Sequence, residues 1–142
     1  MSWPTTFAAR LVSWNSLRNQ SQSLPLEPAL LAINTWWCNS PWQPYYLHWD
    51  DQLTWPDPWQ LLSDDIYCDL AKALGILYTI SLLDRADTVD ATLVLTETGH
   101  NLVQVDKTKY ILNWNAETIL NTNQEVKIIR QLTQHQIKQQ YN

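Results

Sequence analysis

The stretch Tyr67-Cys68-Asp69-Leu70-Ala71-Lys72-Ala73-Leu74-Gly75 decides the fold, because it places one cysteine at the start of a short apolar helix. The N-terminus of a helix carries partial positive charge, which lowers the pKa of a thiol and increases its thiolate fraction. Since thiolate is the nucleophilic form, Cys68 is a candidate catalytic nucleophile. The alternative is a structural role, because free cysteine is among the most buried residue types.

A base and an orienting group follow downstream, so that the chain order is Cys, His, then Asn or Asp. His100 opens the apolar run Leu102–Val105, and Asn113 lies in a second run, Tyr110–Trp114. A hairpin of these two runs would bring Asn113 beside His100, where a carboxamide can hold an imidazole in one tautomer. We therefore predict a catalytic site of Cys68, His100 and Asn113, with Asp106, in the turn between the two runs, as a weaker third member. Structural roles at turns and strand ends remain open for His100 and Asn113.

This order of residues resembles the transglutaminase-like branch of the papain-like fold, in which a Cys-Asp-x-Ala helix precedes a Gly-His strand. The resemblance spans 64–115. It implies an α+β fold with a transglutaminase/papain-like core, in which helices pack on a small antiparallel sheet. It also implies that Cys68 is the nucleophile, His100 the general base and Asn113 the orienting group. The chain departs from the pattern at Leu102, where the family usually has an aromatic residue, and at Asn113, where Asp is commoner.

The N-terminal part of the chain, residues 1–37, has the apolar spacing of amphipathic helices. Apolar residues recur at close to a 3.6-residue period over 5–19, and Pro4 suits the first turn of such a helix. A second helix fits 28–37, with Glu27 and Pro28 at its start. We expect two helices in this region.

Residues 38–65 are rich in tryptophan and proline, and we predict a long irregular loop there. Each proline removes a backbone donor and restricts the residue before it. Large rings would then fix the loop by internal packing, line a groove for sugar or peptide, or contact a partner. We rank partner contact first and predict that four tryptophans make it, namely Trp42, Trp49, Trp55 and Trp59.

Residues 66–115 are predicted to form one helix and a three-stranded antiparallel meander. The helix follows Ser63 or Asp64 as its cap, and the β-prone run 76–83 indicates that it gives way to a strand. Residues 116–142 have the spacing of a terminal amphipathic helix that begins at about Asn123. We treat 1–142 as a single domain.

Composition excludes several classes of function. The formal charge of −5 argues against binding to a phosphate backbone, so no nucleic acid partner is expected. No apolar run is long enough to span a membrane, and the N-terminus lacks the pattern of a secretion signal. The cysteines and histidines lack the spacing of metal ligands, and we expect neither a metal nor a cofactor. With nine tryptophans and 16% charged residues, we expect an oligomeric assembly.

A second resemblance concerns the segment 54–80, which includes Thr54-Trp55-Pro56-Asp57-Pro58-Trp59 and Ile66-Tyr67-Cys68-Asp69. This segment is similar to uncharacterised proteins of tailed bacteriophages, particularly those that infect cyanobacteria. The resemblance implies a virion structural or assembly protein of the tail or baseplate, made in the host cytoplasm and bound to other virion proteins. The alternative is a thiol amidase or acyltransferase that acts on peptide or peptidoglycan amide bonds.

Overall fold

The computed structural model describes residues 3–44, 47–107, 109–121 and 127–141. Two 3₁₀ segments occur there, Ala86–Thr88 and Trp49–Thr54, and the second is called the Trp49 turn below. The other elements, in chain order, are α1 Phe7–Ser23, α2 Leu26–Cys38, α3 Pro58–Asp64, α4 Asp69–Ser81, β1 Thr92–Thr96, β2 Asn101–Val105, β3 Tyr110–Leu112, β4 Leu120–Asn121, β5 Ile128–Thr133 and α5 Gln134–Tyr141.

The five described strands form one sheet in the order β4-β3-β2-β1-β5, and every neighbouring pair is antiparallel. The predicted meander is therefore confirmed as β1, β2 and β3. Helices α2 and α4 pack on this sheet, and α1 and α3 pack on those helices. The predicted α+β fold, with helices on a small antiparallel sheet, is confirmed at this level.

The sheet is apolar on both faces. The cross-strand set Leu93, Val103 and Leu112 belongs to the main core that the helices share. Val94, Leu102 and Ile111 form a separate cluster on the opposite face, and Leu120 packs against it. Because successive strand residues point to opposite faces, two covered faces explain why all five residues of β2 are buried.

Helix α4 runs through the centre of the core, and the strand predicted over 76–83 is wrong. Nearly every residue from Leu70 to Ser81 is buried, so the helix is apolar all round and carries little helical period. Gly75 is needed at its middle, because a Cβ there would lie 2.6 Å from the ring of Trp37. One turn later, the Thr79 hydroxyl accepts the indole N–H groups of Trp14 and Trp37 at 2.9 and 2.8 Å.

The segment 38–65 is less irregular than predicted. It contains the Trp49 turn and helix α3, in which Pro58 occupies the first turn and Asp57 caps the N-terminus by accepting the Gln60 N–H at 2.8 Å. A proline followed by helix formers starts a helix as readily as it ends one. Ser63 and Asp64 end α3 and do not cap α4, whose cap is Cys68.

The C-terminal helix predicted over 116–142 is also wrong in part. Ile128–Thr133 forms the edge strand β5 against β1, and only Gln134–Tyr141 is helical. The predicted start at Asn123 lies outside the described residues. Three of the six residues of Ile128–Thr133 are β-branched, which favours a strand, and pairing with β1 decides between helix and strand there.

Candidate functional site

Cys68 is the N-cap of α4, as the sequence predicted for the start of a helix. Its backbone is extended, and its sulfur accepts the N–H of Ala71 at 3.4 Å. The thiol is 6% exposed. It therefore satisfies one of the free N–H groups that every helix N-terminus leaves.

His100 does not meet this thiol. The described contacts of its ring are a hydrogen bond of 3.3 Å between Nδ1 and the Thr98 hydroxyl, and an edge-on contact with Trp114 at 6.1 Å. The next residue, Asn101, turns its side chain toward α4, so the preceding residue points away from that helix. The structure thus brings Asn101, and not His100, to the start of α4.

Asn113 is held among other amides and does not orient an imidazole. Its Nδ2 donates to Asp69 Oδ1 at 3.0 Å and to the carbonyl of Asn101 at 2.8 Å, and its backbone N–H donates to Asn34 Oδ1 at 2.7 Å. Its φ of 67° lies in the left-handed region, which asparagine tolerates better than most residues. Asp106, the weaker candidate for this role, lies in the β2–β3 turn.

Asp69 is the centre of this arrangement. Its Oδ2 accepts both the backbone N–H of Asn101 at 2.8 Å and its Nδ2 at 3.0 Å. The Asn101 Oδ1 in turn accepts the indole N–H of Trp49 at 2.7 Å. We call the five residues Asn34, Cys38, Asp69, Asn101 and Asn113 the Asp69 cluster.

Cys38 completes the cluster as a hydrogen-bond donor. Its sulfur lies 3.5 Å from Asn113 Oδ1 and 3.7 Å from Asn34 Oδ1. Burial raises the pKa of this thiol to about 11, so it stays protonated at neutral pH. The Lys72 ammonium donates to the carbonyls of Cys38 and Ser40, and burial lowers its pKa. Cys38 is therefore a structural thiol.

A concavity of about 340 Å³ reaches Cys68 from solvent. Asp69 and Asn101 line it beside the thiol, and the remaining lining is mostly apolar: Trp42, Pro44, Leu47 and Leu70. Asp69 and Asn101 already make the hydrogen bonds described above. What the concavity offers a ligand is mainly apolar contact.

The four tryptophans predicted to bind a partner fall into two pairs. Trp49 and Trp55 are 9% exposed, pack edge-on at 5.7 Å, and donate their N–H groups to Asn101 and to the carbonyl of His48. Trp42 and Trp59 are 65% and 44% exposed. The first pair anchors the segment internally, and only the second pair is accessible to a partner.

Sequence reasoning missed Asp69 and Asn101, although both adjoin residues that it singled out. Strand alternation was the available signal, because Leu102 lies on one face of β2, and Asn101, between it and His100, takes the other. Trp114, 50% exposed beside His100, was also missed as a surface aromatic residue.

The part of the chain that the structure describes contains no group of three His, Cys, Asp or Glu that could hold a metal ion. None of the helices within 3–44, 47–107, 109–121 and 127–141 is long and apolar enough to cross a bilayer. Comparison of the chain with protein-family models, with curated proteins and with solved structures found no match.

Proposed function

We propose that this chain is a structural or assembly protein of a tailed-phage virion, in the tail or baseplate, with a transglutaminase-like helix and sheet as its scaffold. The observation that supports a scaffold is the use of Cys68 as a helix cap, with the amide Asn101 where a catalytic base would be needed. The phage context rests on the resemblance of 54–80.

Exposed apolar side chains support a docking role. Trp42, Trp59 and Trp114 are each more than two fifths exposed, and Leu53 is completely exposed. Large rings are enriched where proteins meet, because each buries much area with little loss of conformational freedom. A partner that covers these rings would bury the exposed parts of all three indoles.

The Asp69 cluster supports the scaffold role through rigidity. Its hydrogen bonds tie α2, α4, the start of β2 and the residue after β3 to one another, and Trp49 ties its turn to the same place. Buried polar networks that are satisfied fix one arrangement of the elements around them. An assembly protein needs such fixed geometry, because its neighbours bind to a surface of complementary shape.

The alternative is a thiol amidase or acyltransferase acting on peptide or peptidoglycan amide bonds. The concavity that reaches Cys68 favours it, since a substrate needs a path to the sulfur. Catalysis would also require an imidazole at the thiol, and His100 is turned toward Trp114. The scaffold is therefore the stronger proposal.

Thiol alkylation separates the two. In a Cys38→Ser background, the rate of Cys68 alkylation by iodoacetamide is measured from pH 5 to 9 in the folded chain, with and without His100→Ala. The scaffold predicts equal rates, because His100 does not touch the sulfur. His135→Ala, which changes a histidine on α5, is the matched control. A rate that falls with His100→Ala alone would support the enzyme.

The phage context has its own test. Purified particles of a phage that encodes this chain are analysed by mass spectrometry, and the chain is expected among the virion proteins. Trp59→Ser is expected to lower its copy number without unfolding it, whereas Ser63→Ala, on the same helix and also exposed, should leave the copy number unchanged. Absence of the wild-type chain from particles contradicts the proposal.

A further inference from the structure

The sheet ends in an open edge at β5. Within the described residues this strand pairs with β1 alone, and most of its side chains are exposed. An edge strand presents backbone N–H and C=O groups to which another extended chain can bond. Which of these groups point outward follows from the pairing.

Gln131 is the residue whose backbone faces away from β1. Gln134 donates its N–H to the carbonyl of Ala91, and hydrogen-bonded and non-hydrogen-bonded pairs alternate along an antiparallel ladder. Thr133 therefore makes no backbone hydrogen bond to Thr92, and Gln131 makes none to Val94. The Thr133 N–H does point outward, because it donates to the side chain of Gln136 at 2.8 Å. The Gln131 N–H and C=O, two residues earlier, face the same side.

A large concavity lies beside this edge. It has a volume of about 750 Å³ and is formed by the Trp49 turn together with Arg130 and Gln131. Leu53 is fully exposed on it, and Ile129, which is 62% exposed but does not line the concavity, precedes Arg130 on the same strand. The edge therefore offers backbone groups, aliphatic surface and space in one place.

The charges around the concavity favour a basic occupant. Both cations of β5 and the residue before it are already paired, Arg130 with Asp50 at 2.8 Å and Lys127 with Glu97 at 3.4 Å. Asp51 adds a further exposed carboxylate, so the lining contains two Asp and one Arg. A second copy would bring the same excess of negative charge, so it fits this edge poorly.

We propose that the edge of β5 beside the Trp49 turn binds an extended segment of a partner protein in which Lys or Arg alternates with aliphatic residues. The segment adds to the sheet by hydrogen bonds with Gln131, places a cation at Asp51, and covers Leu53 and Ile129. This inference rests on the proposed docking function, and it names the class of partner at one surface.

The probe is a synthetic peptide of alternating Lys and Val, about ten residues long, the upper range of a strand. Binding to the ¹⁵N-labelled full chain is followed by amide shifts and hydrogen exchange at low salt. We expect slower exchange of the Gln131 amide and weaker binding to Asp51→Asn by roughly two- to five-fold. Asp84→Asn, which removes an exposed carboxylate elsewhere, is the matched control and should bind as wild type.

Two further peptides complete the test. The first peptide carries N-methyl groups on alternate residues and is made in two versions, methylated at odd or at even positions. Only the version whose methyl groups replace the N–H groups that face β5 should lose binding. An alternating Glu and Val peptide should bind more weakly. Equal binding of the Glu peptide, or no change at the Gln131 amide, overturns the proposal. So does a dimer of the free chain, seen by sedimentation, that protects the Gln131 amide.

The inference and the proposed function can fail separately. If the peptide does not bind while the chain is present in purified particles, only the inference at β5 fails. If the peptide binds as expected while the chain is absent from particles, the virion role fails and the edge site stands.

Discussion

Trp49 and Trp42 come from the same tryptophan-rich segment, and the structure gives them opposite environments. Trp49 is 9% exposed and donates its N–H to Asn101, whereas Trp42 is 65% exposed and lines the concavity above Cys68. Trp42 follows Pro41 directly, and Trp49 lies between Pro44 and Pro56, so composition cannot distinguish the two tryptophans. The difference is a buried acceptor, because an indole N–H enters a core only where it finds one.

The largest expected effect tests this comparison directly. Trp49→Ala is expected to lower the free energy of unfolding by about 3–5 kcal/mol, since it leaves a cavity and removes the donor to Asn101. Trp42→Ala is expected to change it by no more than about 0.5 kcal/mol. Urea unfolding followed by circular dichroism measures both. Equal losses would show that Trp42 is also an internal anchor.

A second prediction extends the comparison to the indoles of the central core. Thr79→Val keeps the side-chain volume but leaves the N–H groups of Trp14 and Trp37 without their acceptor. We expect a loss of about 2–6 kcal/mol, from roughly 1–3 kcal/mol for each of the two unpaired buried donors. Thr79→Ser should recover much of it, because the hydroxyl returns. If valine is as stable as serine, packing alone holds these rings.

A third prediction compares Asn101, the first residue of β2, with His100 directly before it. Asn101→Ala removes bonds to the Asp69 carboxylate and to Trp49, and we expect a loss of about 1.5–3 kcal/mol, the range for hydrogen bonds to a charged group. His100→Ala is expected to cost no more than about 0.5 kcal/mol, since the ring is exposed. Thermal and urea unfolding give the difference. The reverse order of the two losses would mean that the strand faces are assigned wrongly.

The smallest effect concerns Cys38 and the pH. Its pKa is about 11 in the folded chain against 9.0 unfolded, so between these values the unfolded chain binds fewer protons than the folded one. Stability contributed by the neutral thiol is therefore present below pH 9 and is lost as pH rises toward 11.

The measurement is the urea midpoint of Cys68→Ser against that of Cys38→Ser/Cys68→Ser across this range. Lys72 is common to both proteins, so its own titration largely cancels in the difference. The gap between the midpoints should close as the pH rises. A gap that is constant with pH would show that the thiol is not desolvated in the folded chain.

Much of the fold could be predicted where the spacing of apolar residues agrees with the capping and turn residues. The two N-terminal helices, the helix start at Cys68 and the three-stranded meander each combine a clear period with a cap or turn residue. The strand prediction for 76–83 was wrong because a helix that is buried on all sides has no polar face to show its helical period. Ile128–Thr133 failed because its pairing with β1 is not encoded locally.

The candidate site was predicted less well, because the residue that meets α4 is one position after the predicted one. Local sequence identified His100, the residue before β2, as the chemically active one, but strand register decides which residue meets α4. Asn101 therefore takes the position expected for the imidazole. The four tryptophans could not be divided from sequence either, because the acceptors that bury Trp49 and Trp55 come from Asn101 and from the carbonyl of His48.

Gly75 and Trp37 have a consequence for evolution of this chain. The indole ring lies where a Cβ of residue 75 would be, and its N–H meets the hydroxyl one helical turn later. A larger residue at 75 is compatible with the fold only if the residue at 37 becomes smaller. The hydroxyl at 79 would then accept a hydrogen bond from Trp14 alone. Homologous chains, when aligned, should show positions 37, 75 and 79 covarying as one unit.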